Sequence, residues 1–382
     1  MTTFIDMHLL QTVPSSNINR DDTGSPKSAV FGGVRRARVS SQAWKRATRR
    51  DFATYLDESE RGIRTRRIMV DLVERIQRLD GSLTPDEALT LGKAVMTAAS
   101  RITFEKPKRG KKNDETADTA DAELSQYLIF ISNQQLDRLA ALALTGRDGT
   151  TIDKAAAKNA LKDGNGIEVA LFGRMVADDV AYNVDASVQV AHAISTHAVE
   201  TEYDYFTAVD DAKPDDEDAG AGMIGWLEFN SSTLYRYATI NLDQLAENLG
   251  DVETTGRAVE AFLRSFVVSM PTGKQNTFAN STLPEAALVQ VRTRRPVNLV
   301  GAFEEPVTTK PDESISVQSA ARLAQKAQEI DDAYGNTPTA AYLLAVGSRV
   351  ADALAGTGEA LGLDALVAQV GRDAVAALQE SV

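Results

Sequence analysis

The chain of 382 residues is acidic, with a net charge of −13, and 43% of its residues are hydrophobic. This hydrophobic content suffices for a folded core and excludes a chain that is disordered throughout. The absence of cysteine excludes disulfides, thiolate zinc sites and cysteine nucleophiles. No stretch approaches the roughly 18 apolar residues of a membrane span. The N-terminal residues lack the basic and apolar pattern of a signal peptide, so we expect a cytoplasmic protein with no membrane partner.

The N-terminal residues predict a strand, a loop and a helix. Residues 4–10 alternate between two faces and predict a strand, one face of which holds Ile5, Met7 and Leu9. Residues 11–33 contain Pro14, Pro26 and a Gly32-Gly33 pair, which predict a loop. Ser40 or Ser41 is typical of an N-cap. We therefore predict a helix as far as about residue 56, with the core positions Trp44, Ala47 and Phe52.

The following residues predict helices as far as position 190 and mixed elements beyond it. The helices are predicted at residues 61–79, 85–99, 121–144 and 152–161, with a charged, low-complexity loop at 106–118. Strands are predicted at residues 199–209, 224–242 and 287–291, and a helix runs from Thr254 or Thr255 to Met270. The last 70 residues are rich in alanine and predict helices packed on this core.

If the helical block is an insertion, the remaining order is strand, helix, strand, strand, helix, strand. This is the order of the ferredoxin-like fold, which RRM domains also use. The sequence therefore predicts an α+β protein with a ferredoxin-like, RRM-like core.

Basic residues are concentrated in one N-terminal segment. Residues 23–50 contain eight Lys or Arg and no acid, whereas residues 300–382 contain five basic and twelve acidic residues. A basic face can lie on an acidic protein, so the negative net charge does not exclude nucleic acid. We predict that residues 19–50 bind nucleic acid, with a solvated basic face as the alternative.

The spacing within this segment suits phosphate. Four side chains recur at helical spacing and share one face of the predicted helix: Gln42, Lys45, Arg46 and Arg49. Guanidinium groups make forked contacts to phosphate, and Ser40 and Gln42 can donate to phosphate or a 2′-hydroxyl. Gly32-Gly33 is either a simple turn or a place where backbone amides approach a phosphate closely.

No motif predicts catalysis, a cofactor or a metal. The chain has three histidines, of which His192 and His197 are five residues apart rather than the four of a metal pair on one helical face. His8 lies on the strand face opposite Ile5. No P-loop, dinucleotide-binding glycine motif or nucleophile elbow is present. We therefore expect a binding protein rather than an enzyme.

Several blocks resemble, in order, the CasC (Cse-type) backbone subunit of type I-E CRISPR Cascade complexes, over roughly residues 1–300. In the basic segment these blocks are Asn19-Arg20-Asp21-Asp22, Lys27, Phe31-Gly32-Gly33, Arg35-Arg36, Arg38, Ser40-Ser41-Gln42 and Lys45-Arg46-Ala47. Further along they are Gly173-Arg174-Met175, Ala191-His192-Ala193-Ile194, Thr196-His197, Phe206-Thr207-Ala208-Val209-Asp210-Asp211, Tyr235-Arg236-Tyr237-Ala238 and Lys274-Gln275.

The resemblance implies a fold like a right hand. The palm would comprise residues 1–58 and, with the C-terminal helices, 226–382. The helical fingers would comprise residues 59–190, and a β-hairpin thumb would lie within 191–225. It also implies about six copies along one CRISPR RNA, other Cascade subunits as partners, target DNA reached through the guide heteroduplex, and indirect contact with a recruited nuclease-helicase.

The residues and the resemblance together give a set of predicted sites. The predicted RNA contacts are Arg20, Lys27, Gly32, Gly33, Arg35, Ser40, Gln42, Lys45, Arg46, Arg49, Lys274 and Gln275. The resemblance implies that Met175 is a wedge that interrupts guide–target pairing. From the residues alone, core packing is the ordinary interpretation of this methionine. A basic cluster is either a target-DNA contact or a solvated loop, and it contains Lys108, Arg109, Lys111 and Lys112.

Two other functions stay open at this point. The first is a CRISPR RNA-processing endoribonuclease with an RRM-like fold, in which His8 or His192 would be the general base. The second is a structural protein whose basic helix pairs with its own acidic loop, at residues 210–222.

Overall fold

The computed structural model describes residues 2–105, 123–176, 179–207 and 224–380. The chain divides into two compact units. The first unit comprises Met1–Asp51, Gln189–Leu242 and Val259–Val382. The second unit comprises Phe52–Val188 and Asp243–Ala258.

The described residues contain both strands and helices. The strands are β1 (Thr3–Ser16), β2 (Ser28–Phe31), β3 (Val34–Val39), β4 (Gly62–Thr65), β5 (Phe104–Glu105), β6 (Leu124–Ser125), β7 (Ile129–Ser132), β8 (Val188–Val190), β9 (Ala193–Ser195), β10 (Glu202–Thr207), β11 (Ile224–Asn241), β12 (Ala286–Thr293), β13 (Ala340–Ala345) and β14 (Glu359–Ala360). The helices are α1 (Ser41–Asp51), α2 (Ile68–Leu79), α3 (Pro85–Ala99), α4 (Asn133–Leu144), α5 (Lys154–Lys162), α6 (Ile167–Phe172), α7 (Leu242–Leu249), α8 (Val252–Val268), α9 (Gln275–Phe278), α10 (Ile315–Tyr334), α11 (Ser348–Ala353) and α12 (Leu363–Glu380). The predicted α+β class is confirmed.

One large sheet organises the first unit. Its strand order is β14-β13-β12-β1-β11-β9-β3-β2, and β10 pairs with part of β11. The central strand β1 pairs antiparallel with β11 on one side and with β12 on the other, and β9 pairs antiparallel with β11. The chain passes through α1 between β1 and β9, and through α8 between β11 and β12.

One face of this sheet packs against helices. The face of β1 that was predicted to be apolar is fully buried and carries Ile5, Met7 and Leu9. On the same face, β11 places Arg236 with its guanidinium 3.7 Å from the ring centroid of Trp44 in α1 and 4.6 Å from that of Phe266 in α8. Arg236 also donates to the Gln11 side chain at 2.6 Å. A buried cation between two aromatic rings thus joins both helices to the sheet.

The opposite face of the sheet carries a buried polar network. His8 is fully buried, and its ring lies 5.2 Å from that of Tyr237. Its Nδ1 atom is 2.9 Å from the Tyr235 hydroxyl, and the Tyr237 hydroxyl donates to Asp6 at 2.9 Å. The backbone N–H of Leu299 donates to the Tyr235 hydroxyl at 3.1 Å. The chain after β12 therefore closes over this face.

The covering layer comes from the C-terminal part of the chain. Its core includes three buried residues, two before α10 and one within it: Leu299, Phe303 and Leu323. The backbone N–H of Val297 donates to Asp6 at 2.9 Å. Burial raises the pKa of Asp6 and lowers the pKa of His8 to about 3. His8 is therefore neutral at physiological pH, and its ring contacts protein rather than solvent.

The second unit has a helical core of its own. Helices α2, α3, α4 and α5 pack around buried residues that include Ile68, Leu72, Val95, Leu136 and Leu139. Helix α3 matches the predicted bounds, because Thr84 and Glu87 form a capping box and Pro85 occupies the first turn. Two strand pairs, β4 with β7 and β5 with β6, join this helical core.

Three predictions of local structure are wrong. Residues 11–33 are not all loop, because β1 continues to Ser16 and β2 forms a hairpin with β3. The predicted helices at 61–79 and 121–144 begin later, because β4 and β7 pair ahead of α2 and α4. The C-terminal residues are not only helical, because β13 pairs with β12 and extends the sheet.

Candidate nucleic-acid interface

The first turn of α1 is fixed by two hydrogen bonds. The Ser40 hydroxyl oxygen accepts a hydrogen bond from the backbone N–H of Ala43 at 3.3 Å, and Ser40 is 5% exposed. The backbone N–H of Ser40 donates to the Asn19 side chain at 2.8 Å. Ser40 is therefore an N-cap, and the loop that precedes β2 is attached to the start of the helix. Its predicted contact with RNA stays a prediction.

The basic face of α1 points away from the core. The buried positions of this helix are Trp44 and Thr48. Gln42 and Arg46 are exposed, and Lys45 and Arg49 are half-buried. This arrangement confirms the predicted shared face of Gln42, Lys45, Arg46 and Arg49. Burial lowers the pKa of Lys45.

The Gly32-Gly33 pair forms the turn between β2 and β3. Both residues have positive φ, +60° at Gly32 and +78° at Gly33. A Cβ atom at Gly32 would overlap the carbonyl oxygen of Glu304, whereas a Cβ at Gly33 would meet nothing within 4 Å. Gly32 is thus required by a close approach within the protein. The space beside Gly33 is open, which leaves room for a phosphate to approach the backbone there.

Neighbouring arginines on β3 have different roles. Arg36 is fully buried, and its guanidinium donates to four backbone carbonyl groups, those of Phe31 at 3.2 Å, Ser195 at 3.2 Å, Phe303 at 2.8 Å and Glu304 at 3.2 Å. Arg35 is exposed. Because side chains alternate along a strand, the burial of Arg36 directs Arg35 to solvent. Only Arg35 of this pair is placed to bind a ligand.

A second basic group lies beside β3 and includes residues that the sequence did not connect. Arg38 Nη1 lies 3.1 Å from Nδ1 of His192, and the backbone N–H of Arg38 donates to the Lys27 carbonyl at 2.9 Å. The pKa of the exposed His192 is lowered by desolvation and by the charges of Arg38 and Lys27. The predicted site residue Lys27 thus lies next to Arg38 and His192, which are 154 positions apart in the chain.

The loop before α9 packs against the loop after β1. A Cβ atom at Gly273 would overlap the backbone carbonyl of Ile18. Lys274, with a left-handed φ of 53°, follows directly, and Gln275 donates to Ser281 at 3.0 Å. The structure therefore brings Lys274 and Gln275 close to the segment that contains the exposed Arg20.

Hydrogen bonds and one close approach link the elements that carry the predicted RNA contacts in the first unit. These elements are α1, the β2–β3 hairpin, the loop of residues 17–27 and the loop before α9, which are joined through Asn19, Lys27 and Gly273. The nearby carboxylate of Asp21 accepts hydrogen bonds from the backbone of Thr23 and Ser25 at 3.0 Å. The predicted DNA contacts Lys108, Arg109, Lys111 and Lys112 lie outside the described residues.

Comparison with known proteins assigns the family. Residues 5–369 match the family described as CT1975-like protein. The chain belongs to the CT1975-like family. The comparison with curated proteins gives no match.

Solved structures similar to this CT1975-like protein have consistent descriptions. One chain, of "CRISPR RNA-guided surveillance complex, pre-nicking", is 34% identical with a TM-score of 0.82, and the match covers 97% of this chain and 100% of that one. A chain of "CRISPR RNA-guided surveillance complex" is 30% identical with a TM-score of 0.71, covering 96% and 99%. The similarity therefore extends over nearly the whole length of both relatives.

Met175 of the CT1975-like protein lies in the second unit, between two buried residues that are held by hydrogen bonds. Its neighbour Arg174 is buried and donates to the Tyr182 carbonyl at 2.8 Å and to the Gln135 side chain at 3.2 Å. On the other side, the buried Val176 donates its N–H to Asn183 at 2.6 Å. Met175 itself is 82% exposed. Core packing, the ordinary interpretation of this methionine, is therefore wrong.

The histidines of the CT1975-like protein occupy separate environments. His8 is enclosed by the sheet and the C-terminal layer, and His192 is exposed beside Arg38. His197 Nδ1 is 2.8 Å from the Ala198 carbonyl, and its Nε2 accepts the backbone N–H of Thr233 at 3.1 Å. Among the described residues, no group of three or more potential metal ligands is found. Within the same part of the chain, no helix is long and apolar enough to cross a membrane.

Exposed aromatic side chains lie on the β10–β11 hairpin of the CT1975-like protein. Tyr203 is 64% exposed and Trp226 is 70% exposed. The rings of Tyr205 and Trp226 meet edge to face at 5.1 Å. The strand prediction for residues 199–209 rested on their content of Tyr, Phe, Val and Thr. The exposure of the aromatic side chains was missed, because the same composition also suits a half-buried strand.

Proposed function

We propose that this CT1975-like protein is a non-catalytic backbone subunit, CasC, of a type I-E CRISPR RNA-guided surveillance complex. It would bind CRISPR RNA and act in antiviral defence in the prokaryotic cytoplasm. The observation that carries the proposal is that adjoining elements of the first unit carry the predicted basic residues, in a chain 34% identical to a chain of such a complex over nearly its full length. Neither observation alone gives the function, since many folds carry basic surfaces.

The first unit would be a ferredoxin-like, RRM-like palm. The order β12-β1-β11-β9, all antiparallel, with α1 and α8 as the connecting helices, supports this assignment. The fingers would correspond to residues 59–190. The thumb would lie within residues 191–225, where β10 and the start of β11 form a hairpin.

The mode of RNA binding would differ from that of an ordinary RRM. An RRM stacks bases on aromatic residues of its sheet face. In this protein Tyr235 and Tyr237 are 2% and 7% exposed beneath the C-terminal layer, so bases have no access to them. Contacts would instead go to guide phosphates and sugars, which position a strand without reading its sequence. A subunit that accepts any guide needs this kind of contact.

The RNA contacts would divide by chemistry. Lys27, Lys45 and Lys274 would act as point charges, and Arg20, Arg35, Arg46 and Arg49 would bind phosphate oxygens with forked guanidinium groups. Gln42, Gln275 and Ser40 would donate to sugar or phosphate oxygens. Backbone groups at the Gly32-Gly33 turn would approach the strand, with the open side at Gly33.

The assembly would be repetitive. About six copies would lie along one guide, each in contact with the next copy and with other subunits of the complex. Target DNA would pair with the guide, Met175 would interrupt that pairing at intervals, and a nuclease-helicase would be recruited by the whole assembly. Met175 is exposed while its neighbours Arg174 and Val176 are buried and hydrogen-bonded, and this arrangement supports a role as a wedge.

Charge reversal on α1 tests the proposal. Lys45→Glu with Arg49→Glu should remove the RNA that co-purifies with the protein, because two phosphate-facing charges change sign. The control is Arg349→Glu with Arg372→Glu, an equal charge change at exposed positions of α11 and α12. Thermal unfolding of both variants establishes that they fold. Full RNA retention by a folded α1 variant would refute the proposed interface.

The endoribonuclease alternative has one supporting observation. His192 is exposed beside Arg38 and Lys27, an arrangement in which an imidazole could meet a phosphate backbone. His8 has no such access, because it is fully buried. Incubating the full chain and a His192→Ala variant with precursor CRISPR RNA separates the two functions. We expect no cleavage by either protein; cleavage that requires His192 would establish the alternative.

A further inference from the structure

Four exposed arginines of the second unit, three of them at the junction of β4 and α2, belong to none of the sites described above. We call them the arginine surface; its members are Arg64, Arg66, Arg67 and Arg101. None belongs to the basic segment of the first unit or to the predicted wedge. Their charge is therefore unexplained by the binding of the guide.

One of these exposed side chains lies on β4, and a second follows the end of that strand. Ile63 on β4 packs against the core of the second unit. Because side chains alternate along a strand, Arg64 lies on the side of β4 opposite Ile63. Arg66 follows directly after Thr65, the last residue of β4. Arg66 Nε donates to the Ser125 carbonyl at 2.7 Å. This bond holds the guanidinium in place, and among the described residues no hydrogen bond engages its two terminal nitrogens.

Hydrogen bonds bring Arg101 to the same region. The backbone N–H of Ser125 donates to the Arg66 carbonyl at 2.8 Å. The next residue, Gln126, donates its backbone N–H to the Thr103 carbonyl at 3.4 Å. The segment that begins at Arg101 therefore runs beside β6, and β6 in turn lies beside Arg66.

These arginines differ from other basic residues of the second unit. Four other basic residues each form an ion pair with a carboxylate: Arg75 with Asp137, Lys93 with Glu123, Arg147 with Asp80, and Arg257 with Glu60. Among the described residues, no carboxylate lies within ion-pair distance of any member of the arginine surface. Asp71 interacts with Arg67 at longer range, and Glu105 accepts a hydrogen bond from the Gln126 side chain. Mutually repelling cations on an acidic protein suit an extended anionic partner.

We propose that the arginine surface binds the phosphodiester backbone of a nucleic acid other than the guide. The inference rests on the proposed function, in which a second nucleic acid meets the complex. Guanidinium groups bind phosphate through two parallel hydrogen bonds, and several exposed guanidinium groups in one region suit a repeating anion. No base-reading groups are needed, so the binding is independent of sequence.

The test compares two triple variants of the full chain, purified with its RNA. The first is Arg64→Gln, Arg66→Gln and Arg101→Gln. The control removes the same charge from exposed arginines elsewhere, with Arg78→Gln, Arg349→Gln and Arg372→Gln. Because Arg66 bonds to Ser125, a double variant with Arg66 retained is measured as well. Affinity is measured across ionic strengths for duplex DNA unrelated to the guide and for single-stranded RNA of mixed sequence.

The first triple variant should retain the guide and lose affinity for added nucleic acid. We expect a loss on the order of tenfold at low salt, with the salt dependence less steep by about 1 for each phosphate contact removed. The control should bind like the unmodified protein. If the first triple variant loses affinity for duplex DNA, the ligand of the arginine surface is DNA. If it loses affinity for single-stranded RNA alone, the ligand is RNA. Affinity and salt dependence equal to those of the control, with the guide retained, would overturn the inference and leave the proposed function intact. Absence of guide from the unmodified protein would instead refute the proposed function.

Discussion

The guanidinium of Arg236 lies 3.7 Å from the ring centroid of Trp44, and no acidic residue of the described chain forms an ion pair with it. Burial lowers the pKa of Arg236 to about 9. The cation is stabilised by two aromatic faces and by the Gln11 side chain rather than by an opposite charge. The position of the proposed RNA-binding helix therefore depends on this contact beneath it.

Trp44→Ala should destabilise the protein by about 3–5 kcal/mol, the usual range for the loss of a large buried aromatic residue. RNA binding should weaken with it, since α1 loses its contact with Arg236. Trp44→Phe keeps an aromatic face beside Arg236, so it should lose less stability and less RNA binding than Trp44→Ala. Denaturant unfolding and RNA retention check the prediction; an Ala variant as stable as the Phe variant would contradict it.

The two glycines of the β2–β3 turn should respond differently to alanine. Gly32→Ala places a methyl group into the Glu304 carbonyl and should disturb the carbonyl contacts of Arg36. At Gly33 the added methyl group meets open space. Gly33→Ala should therefore lower stability only by the strain of a left-handed backbone conformation, about 1–2 kcal/mol. Thermal unfolding should rank Gly32→Ala as the less stable variant. Equal stability of the two variants would contradict this account.

RNA binding separates a structural role of the turn from a contact with the guide. If the backbone at Gly33 approaches the strand, Gly33→Ala should weaken RNA binding more than its loss of stability explains. The exposed Val30 of the same hairpin offers a control, Val30→Ala, which leaves the turn unchanged. RNA binding by Gly33→Ala equal to that of the control would restrict both glycines to a structural role.

The central elements were predictable because their local signals agree with the fold. Alternation in β1 predicted that Ile5 and His8 lie on opposite faces, and they do. The N-cap signal at Ser40 and the helical spacing after it predicted α1 and its basic face. The capping box at Thr84 fixed the start of α3. In each case the decisive interaction lies within a few residues.

The missed elements depend on contacts that are distant in sequence. Gly32-Gly33 signals a turn, but the β2–β3 hairpin also needs β9 as a neighbour to β3. Strand β13 is an apolar run that periodicity does not separate from a helix, and it becomes a strand by pairing with β12. The approach of Gly273 to Ile18, which positions Lys274, joins residues 255 positions apart and has no local signature.

Acidification should destabilise the protein through His8. Its native pKa is about 3 against an ordinary value of 6.5. The unfolded chain therefore binds a proton at pH values where the native state does not, and stability falls as the pH drops below about 6.5. The slope from this group approaches about 1.4 kcal/mol per pH unit. Denaturant unfolding at a series of pH values measures it.

His8→Gln isolates this contribution. The variant should lose less stability than the unmodified protein between neutral pH and about pH 4, because one group with a lowered pKa is absent. Asp6 has a raised pKa and acts in the opposite direction, and His197 has a lowered pKa; both remain in the variant. Parallel pH profiles of the two proteins would show that His8 does not carry the effect.

Met175→Ala should separate stability from target pairing. Because Met175 is 82% exposed, the change should leave stability within about 0.5 kcal/mol. If Met175 is a wedge, the assembled complex should bind matched target DNA more weakly, on the order of tenfold, or about 1.4 kcal/mol. Val180→Ala removes another exposed apolar side chain of the second unit and is the control. Equal target affinity of the two variants would contradict the wedge.

The central claim is that this protein lies along a guide RNA and holds it without reading its sequence. The most direct test is to extract and sequence the nucleic acid that co-purifies with the intact assembly. We predict short RNAs with common ends and variable middle sequences. DNA, RNA of a single sequence, or no nucleic acid at all would contradict the account.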